Sequence, residues 1–127
     1  MSRERMKHPA TRFDGPIMKA ITIALRRCVD ESDWQLAAMA LEPTHAHLLI
    51  THCNRPIENT VKWIKQRTTR AVHEATSHAG PVWCVGSWRV FVFAATQWNS
   101  TVRYIQRHNE RRGLPSSPHD FVTPLEL

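Results

Sequence analysis

The sequence predicts a single α+β domain, because three segments with helical periodicity alternate with short runs rich in β-forming residues. The chain has 127 residues, of which 42% are hydrophobic, and this is enough for one compact core. No internal repeats are present. We divide the chain into a basic N-terminal segment (residues 1–12), a folded domain (residues 13–114) and a proline-rich C-terminal tail (residues 115–127).

The first helix is predicted from Pro16 to Val29. Asp14 can cap its N-terminus, and Pro16 lies in the first turn, where a missing N–H costs little. Apolar residues then recur with the helical period, at Ile17, Ile21, Ala24, Leu25 and Cys28. This stripe predicts that one face of the helix packs against the core.

Two apolar runs after this helix predict a pair of antiparallel strands. The first run, Trp34 to Leu41, is interrupted by Glu42-Pro43, and the second run, His45 to His52, follows at once. So short a connection is typical of antiparallel strands that are neighbours in a sheet, although it lacks the Asn-Gly pair common in such turns. The sequence therefore predicts a β-hairpin that turns at Glu42-Pro43.

The second of these strands carries the first candidate functional residues. Successive side chains of a strand point to opposite faces, so His45 and His47 share one face. The other face is apolar and consists of Ala46, Leu48 and Ile50. Two imidazoles on one face can chelate a divalent metal ion. Such a pair is more often ordinary surface or hydrogen-bonded structure, and that alternative stays open for the pair alone.

A second, longer helix with a basic outer face is predicted from Pro56. Its inward stripe consists of Ile57, Val61, Ile64, Thr68, Ala71 or Val72, and Ala75. The basic residues of interest are Lys62, Lys65, Arg67 and Arg70. Such side chains bind a nucleic-acid backbone without reading its sequence, so we predict them as DNA contacts. A solvated helix surface is an equally weighted alternative.

Two β-rich runs follow, Val82 to Val85 and Trp88 to Ala94, with Gly86-Ser87 between them. Both faces of the second run are largely apolar, which predicts a strand buried between layers of helices. The five tryptophans of the chain are scattered through periodic segments. They are therefore better explained as core residues than as platforms on which nucleobases stack.

The last helix is predicted to begin at Thr96 or Asn99 and to end at Gly113. Its inward stripe consists of Trp98, Val102 and Ile105. Tyr104, the only tyrosine, and His108 are four residues apart, and this spacing lets a phenol and an imidazole converge on one site. The basic residues that we predict as further DNA contacts are Arg103, Arg107 and Arg111.

Charge and cysteine content narrow the class of protein. The 17 Lys and Arg exceed the 11 Asp and Glu, and the resulting net charge of +6 favours a polyanionic partner such as nucleic acid. Three widely spaced cysteines argue against a disulfide framework and for a reducing compartment. The sequence shows neither a signal peptide nor an apolar run of about 20 residues, so we expect a cytoplasmic protein.

Several short phrases together resemble the single-tyrosine HUH transposases, and in particular their REP-associated branch. The phrase Thr44-His45-Ala46-His47-Leu48-Leu49 is similar to the phrase NHVHLL of that branch. Further similar phrases are Ile64-Lys65 to Arg70, Pro81-Val82-Trp83, Tyr104-Ile105 and Arg112-Gly113-Leu114. The resemblance covers roughly Phe13 to Leu114.

This resemblance implies both a fold and an activity. The fold would be a ferredoxin-like antiparallel sheet with helices packed on it, whose first strand is missing or short in this chain. His45 and His47 would bind Mg²⁺ or Mn²⁺, and His108 would be the third ligand, where the family has Gln or Asn. Tyr104 would attack single-stranded or hairpin DNA and form a 5′-phosphotyrosine. The resemblance also implies a homodimer.

Two other functions remain open. The first is a DNA-binding relative that has lost cleavage, because Thr44 replaces an Asn of the family and His108-Asn109 replaces its Asn-Pro. The second is a metal-dependent phosphodiester hydrolase that uses His52 together with His45 and His47. Against this hydrolase, His52 falls on the opposite face of the strand from the other two histidines.

Overall fold

The computed structural model describes residues 13–51, 54–83, 88–91 and 97–123, the third of these ranges by its backbone alone. The described elements, in chain order, are α1 (Gly15–Asp30), β1 (Leu36–Leu41), β2 (Ala46–Ile50), α2 (Ile57–Ala75), β3 (Trp88–Phe91) and α3 (Trp98–Arg111). This arrangement of helices packed on a sheet confirms the predicted α+β class.

Helix α1 begins and ends within one residue of its predicted bounds. The carboxylate of Asp14 accepts a hydrogen bond from the backbone N–H of Ile17 at 2.9 Å, so the predicted N-cap is confirmed. At the other end, the backbone N–H of Glu31 donates to the carbonyl of Arg27. Local capping chemistry therefore sets the N-terminal limit of this helix.

Strands β1 and β2 pair antiparallel, which confirms the predicted hairpin. The register shifts between Leu36, which pairs with Ile50, and Ala38, which pairs with Leu49, so Ala37 is an extra residue in β1. This bulge lets Leu36 and Met39 face the same side of the sheet although they are three residues apart. Ala37 and Ala38 both belong to the opposite side.

Strand β3 pairs with β2 in parallel, so the sheet is mixed, in the order β1-β2-β3. The antiparallel pairing that the resemblance implied is present between β1 and β2, whereas the pairing of β3 with β2 differs from it. The physical reason is the crossover through α2, which returns the chain to the beginning of a strand that runs in the direction of β2. Pro81-Val82-Trp83 precedes β3 outside any strand, so the predicted strand start at Val82 is also wrong.

Several predictions fall outside the described residues. They are the short or missing first strand within residues 1–12, the strand over residues 84–85, the strand end beyond residue 91, the helix start at Thr96 and the role of His52.

The two faces of the sheet have different cores. On the first face, α1 and α2 pack over large side chains that include Leu36, Leu48 and Ile50. On the second face, α3 packs over a sheet surface in which alanines predominate. The sheet contributes Ala37, Ala38, Ala40 and Leu49 to this second core, and the helix contributes Trp98, Val102 and Ile105. His47 alternates with Leu48 along β2 and therefore points to the α3 face.

After α3 the chain turns and returns along β1. Gly113 has a φ of +77°, a left-handed conformation that favours glycine, and it lies where the sequence predicted the helix to end. Val122 then forms a parallel bridge with Leu36, and the backbone N–H of Thr123 donates to the Leu36 carbonyl at 2.9 Å. The tail thus covers part of the outer edge of β1.

Among the described helices, none combines the length and the apolar character needed to cross a membrane.

The packing of α1 leads to a stability prediction. Ile21 is completely buried in the first core and Ile23 is exposed on the same helix. We expect Ile21→Ala to lower the free energy of unfolding by about 2–5 kcal/mol, because it removes buried methyl groups and leaves a cavity. The matched variant Ile23→Ala should change it by less than about 0.5 kcal/mol. Urea denaturation followed by circular dichroism measures both, and equal effects would contradict the assigned packing of α1.

Candidate metal and nucleophile site

Three different elements place the candidate residues on the α3 face of the sheet. His47 comes from β2, Tyr104 and His108 come from α3, and Glu42 comes from the turn of the hairpin. His47 is only 4% exposed. Helix α3 contacts both β1 and β2, and its residue His108 reaches Glu42 in the turn of the hairpin.

The aromatic rings of these residues are in contact. The centroids of the His47 and His108 rings are 4.2 Å apart and the rings are stacked, with an interplanar angle of 18°. The Tyr104 ring meets them edge-on, with centroid distances of 6.0 Å to His47 and 5.0 Å to His108. The structure therefore brings His47 of β2 together with Tyr104 and His108, which share one face of α3 as their spacing predicted.

Glu42 joins this group, and the sequence analysis missed it. Its carboxylate Oε1 lies 2.7 Å from His108 Nδ1 and 3.4 Å from His47 Nε2. In the sequence, Glu42 stands out only as a strand breaker next to Pro43. A usable signal was present, because a hairpin that turns at Glu42-Pro43 brings this carboxylate back towards the start of the histidine strand.

The three residues have the geometry of a candidate metal site. One ligand atom each from Glu42, His47 and His108 lies within 4.8 Å of the others. The Nε2 atom of His108 is buried and has no hydrogen-bond partner among the described residues. A buried polar atom without a partner is costly, and a cation bound at this nitrogen would remove that cost. A carboxylate with two imidazoles is also a donor set that suits divalent metals.

His45 stands apart from this cluster. It is exposed, its Nδ1 is hydrogen-bonded to the Thr44 hydroxyl at 2.7 Å, and its ring centroid lies 6.5 Å from that of His47. The two histidines thus share a face, as the strand alternation predicted. His45 is nevertheless not among the residues whose ligand atoms converge.

The site runs from a buried end to an exposed end. His47 is buried and His108 is largely so, whereas Tyr104 is 46% exposed. A phenol at this position is accessible to a large polymeric substrate. The imidazoles behind it lie in a less polar environment, where electrostatic interactions are stronger than in water.

The predicted basic residues fall on two separate surfaces. Helix α2 packs on the face of the sheet opposite to His47. Its predicted basic contacts are Lys62, Lys65, Arg67 and Arg70. Arg67 forms a two-point ion pair with Glu31 at 2.6 and 3.1 Å and lies over the ring of Trp63. Arg70 pairs with Glu74 along its own helix. This set therefore does not surround Tyr104.

The arginines of α3 lie on the same helix as Tyr104. Arg103, Arg107 and Arg111 are all exposed. Arg103 donates two hydrogen bonds to Glu110, at 2.7 and 3.0 Å. These bonds, together with the Ser116 hydroxyl, lower the pKa of Glu110 from 4.5 to about 2.

Comparison with known proteins identifies the family. The family model described as "Transposase IS200 like" matches residues 5–108, which is most of the chain. The chain therefore belongs to the IS200-like transposase family, in agreement with the resemblance of its motifs. The matched range includes His45, His47, Tyr104 and His108. Neither the curated proteins nor the solved structures compared with this chain include a match.

The Arg103–Glu110 pair leads to a pH prediction. A carboxyl whose pKa is depressed on folding stabilises the fold above its unfolded pKa, and this stabilisation is lost as the pH falls towards the folded pKa. For Glu110 the loss should therefore occur between about pH 4.5 and pH 2. We expect Arg103→Gln to raise the pKa of Glu110 towards 4.5, as measured by NMR titration of its carboxyl carbon.

Arg107→Gln is the matched control, because Arg107 makes the smallest contribution to the pKa of Glu110. An Arg107→Gln shift as large as that of Arg103→Gln would show that general positive charge, and not the hydrogen-bonded pair, sets this pKa.

Proposed function

We propose that this protein cleaves and rejoins single-stranded DNA through a covalent bond to Tyr104. The observation that supports this most directly is the contact of the Tyr104 ring with His47 and His108, at centroid distances of 6.0 and 5.0 Å. Membership of a transposase family makes DNA the expected substrate. An exposed phenol, Tyr104, next to buried side chains that can bind a divalent metal is an arrangement that suits phosphodiester transfer.

The proposed metal ligands are His47, His108 and Glu42. His45, which the family resemblance implied as a ligand, is proposed to line the exposed rim of the site instead. A bound Mg²⁺ or Mn²⁺ would neutralise charge on the scissile phosphate and help to orient it. Two imidazoles favour Mn²⁺ over Mg²⁺, and the carboxylate accommodates either ion.

In the proposed reaction the Tyr104 oxygen attacks the phosphorus of the scissile phosphodiester. The new bond joins the tyrosine oxygen to phosphorus, and the bond from phosphorus to the 3′-oxygen breaks. The leaving 3′-oxygen takes up a proton, and the phenol gives up its proton to solvent or to a nearby base. The products are a 5′-phosphotyrosine and a free 3′-hydroxyl.

Rejoining is the same step in reverse. A 3′-hydroxyl attacks the phosphotyrosine, a phosphodiester re-forms, and Tyr104 regains its proton. The numbers and kinds of bonds are conserved, so no nucleotide cofactor is needed. Because an incoming 3′-hydroxyl from another strand would react in the same way, this chemistry supports strand transfer as well as cleavage.

The arginines of α3 are the proposed contacts to the DNA backbone near the scissile phosphate. Arg107 and Arg111 lie one and two turns beyond Tyr104 and are exposed, and Arg103 is adjacent to it. The basic residues of α2 are on the other side of the sheet from Tyr104. They could bind DNA only through a segment of the nucleic acid that lies away from the scissile phosphate. We further propose a cytoplasmic homodimer, on the basis of the cysteine content and of the family resemblance.

The nucleophile assignment predicts a covalent adduct. Incubation with labelled single-stranded hairpin DNA and Mn²⁺ should give a protein–DNA band that survives denaturing electrophoresis. Tyr104→Phe should abolish this band, because no other tyrosine is present to replace it. Ser100→Ala, an exposed change on the same helix, should leave the band within about twofold of its original intensity.

Two results would contradict this assignment. The first is an adduct that persists in Tyr104→Phe. The second is the absence of any adduct across a set of hairpin sequences, which would favour a DNA-binding relative that has lost cleavage.

The metal assignment predicts a ranking of affinities. Isothermal titration of the DNA-free protein with Mn²⁺ should show an affinity at least about tenfold weaker in Glu42→Gln and in His108→Ala, because each change removes a converging ligand or its partner. Glu58→Gln, an exposed glutamate on α2, is the matched control and should bind as the unmodified protein does. A larger loss in His45→Ala than in Glu42→Gln would instead restore the ligand set that the sequence analysis predicted.

A further inference from the structure

We infer that Arg103 of α3 forms an anion site which the carboxylate of Glu110 occupies in the DNA-free protein, and that a backbone phosphate of the DNA replaces this carboxylate on binding. Glu110 is then a determinant of DNA affinity, although it is acidic. This inference rests on the proposed function, because it takes DNA to be the substrate.

Glu110 has an unusual position for an acidic residue. It is the only acidic residue of α3. Residues four, seven and eight apart on a helix share a face, so Glu110 lies on the same side of α3 as its arginines, which are Arg103, Arg107 and Arg111. All four side chains are exposed. A polyanion that approaches this face therefore meets one negative charge among three positive ones.

The carboxylate of Glu110 is bound in the way that a phosphate would be bound. Both terminal nitrogens of the Arg103 guanidinium donate to it, one to each oxygen, at 2.7 and 3.0 Å. The hydroxyl of Ser116 donates to one of the same oxygens. A guanidinium binds the paired oxygens of a carboxylate and of a phosphate with the same two-point geometry. These donors thus form an anion site whose occupant is a side chain of the protein itself.

The hydroxyl donor of this site is held in place by the fold. The side-chain amide of Asn109, which is only 1% exposed, donates to the carbonyl of Ser116 and to the carbonyl of Met39 in β1, both at 2.9 Å. Ser116 is therefore tied to the sheet through a buried side chain. Its hydroxyl stays in position when the Glu110 carboxylate moves away, and it can then donate to a phosphate oxygen.

Exchange of the carboxylate for a phosphate requires only side-chain rotation at the surface. The side chains of Arg103 and Glu110 are 48% and 36% exposed, and exposed ion pairs contribute little net stability. The pKa of Glu110 is lowered to about 2, so the carboxylate stays ionised near neutral pH and protonation does not release Arg103. An incoming anion must therefore displace it. A DNA strand already bound at Arg107 and Arg111 presents such an anion at high local concentration.

The site lies next to the proposed nucleophile. Arg103 directly precedes Tyr104 in α3. A phosphate at Arg103 would help to hold the strand whose neighbouring phosphodiester Tyr104 attacks. A polyanion that cannot deliver a phosphate to Arg103 meets the charge of Glu110 instead, and this repulsion disfavours unproductive binding. The family match ends at His108, so Glu110 and Ser116 lie in the part of this chain beyond the matched range.

Glu110→Gln tests whether the carboxylate competes with DNA. We expect the affinity for a labelled oligothymidylate, measured by fluorescence anisotropy at low salt, to rise at least about threefold, because the phosphate no longer has to displace a charged group. Glu58→Gln changes the net charge equally but lies on α2, on the other side of the sheet. This matched control should leave the affinity within about twofold of that of the unmodified protein.

Arg103→Gln in both backgrounds shows whether Arg103 is the site of competition. We expect this substitution to weaken binding at least about threefold more in the Glu110→Gln background than in the unmodified protein, because only there is the guanidinium available without exchange. Ser116→Ala provides a second variant that leaves all charges in place. It loosens the hold on the carboxylate and should raise the affinity in the same direction as Glu110→Gln, although by less.

Three results would overturn the inference. Unchanged affinity in Glu110→Gln would show that the carboxylate does not compete, and weaker binding would show that it orients Arg103 for the DNA. Additive effects of Arg103→Gln and Glu110→Gln would show that the two residues do not form one exchange site.

This assay measures binding and not cleavage, so its failure can be told apart from that of the proposed function. Tighter binding in Glu110→Gln without any covalent adduct from the unmodified protein would sustain this inference and contradict the proposed cleavage. An adduct from the unmodified protein with unchanged affinity in Glu110→Gln would do the reverse. Absence of binding in every variant would overturn both this inference and the DNA contacts proposed for α3.

Discussion

The close packing of α3 on the alanine face of the sheet is the constraint on which the candidate site depends. Ala37, Ala38 and Ala40 present small side chains, and the bulge in β1 turns two of them to this face. Larger residues there would keep the helix away from the strands. Because the helix lies close, residues four apart along its edge reach the side chain of His47. The contact between the α3 residues and His47 therefore depends on the small size of the alanine side chains beneath the helix.

The charges of the site are arranged in two zones. The carboxylate of Glu42 lies between two imidazoles in a partly buried space, where a divalent cation would find both charge and lone pairs. The arginines of α3 are outside this space and in water. The exposed cations would therefore attract an anionic substrate, while the groups that could bind a metal lie deeper in the site. Tyr104 stands at the boundary between these zones, where the proposed nucleophile would meet the phosphate of a substrate.

Local sequence patterns predicted the parts of this structure that depend on neighbouring residues. The cap at Asp14, the turn at Gly113 and the shared face of His45 and His47 each follow from a few consecutive positions. The parallel pairing of β3 could not be predicted in this way, because strand pairing across a long crossover has no local signature. The hairpin turn indicates that Glu42 returns towards the histidine strand, but its contact with His108 depends on α3, which is distant in sequence.

The surroundings of each basic residue depend on which face of the sheet its helix packs against, and the net charge of the chain does not reveal them. Arg67 pairs with Glu31 beyond the end of α1 and stacks on Trp63, so its charge stabilises the packing of two helices against each other. The pKa of Glu31 is lowered by this hydrogen-bonded pair, as expected for a carboxylate held in place by the fold. Arg107 and Arg111 have a different position, on the exposed side of the tyrosine helix. A count of Lys and Arg cannot distinguish Arg67, which pairs within the fold, from Arg107 and Arg111, which are exposed beside Tyr104. The structure distinguishes them because α2 and α3 pack on opposite faces of the sheet.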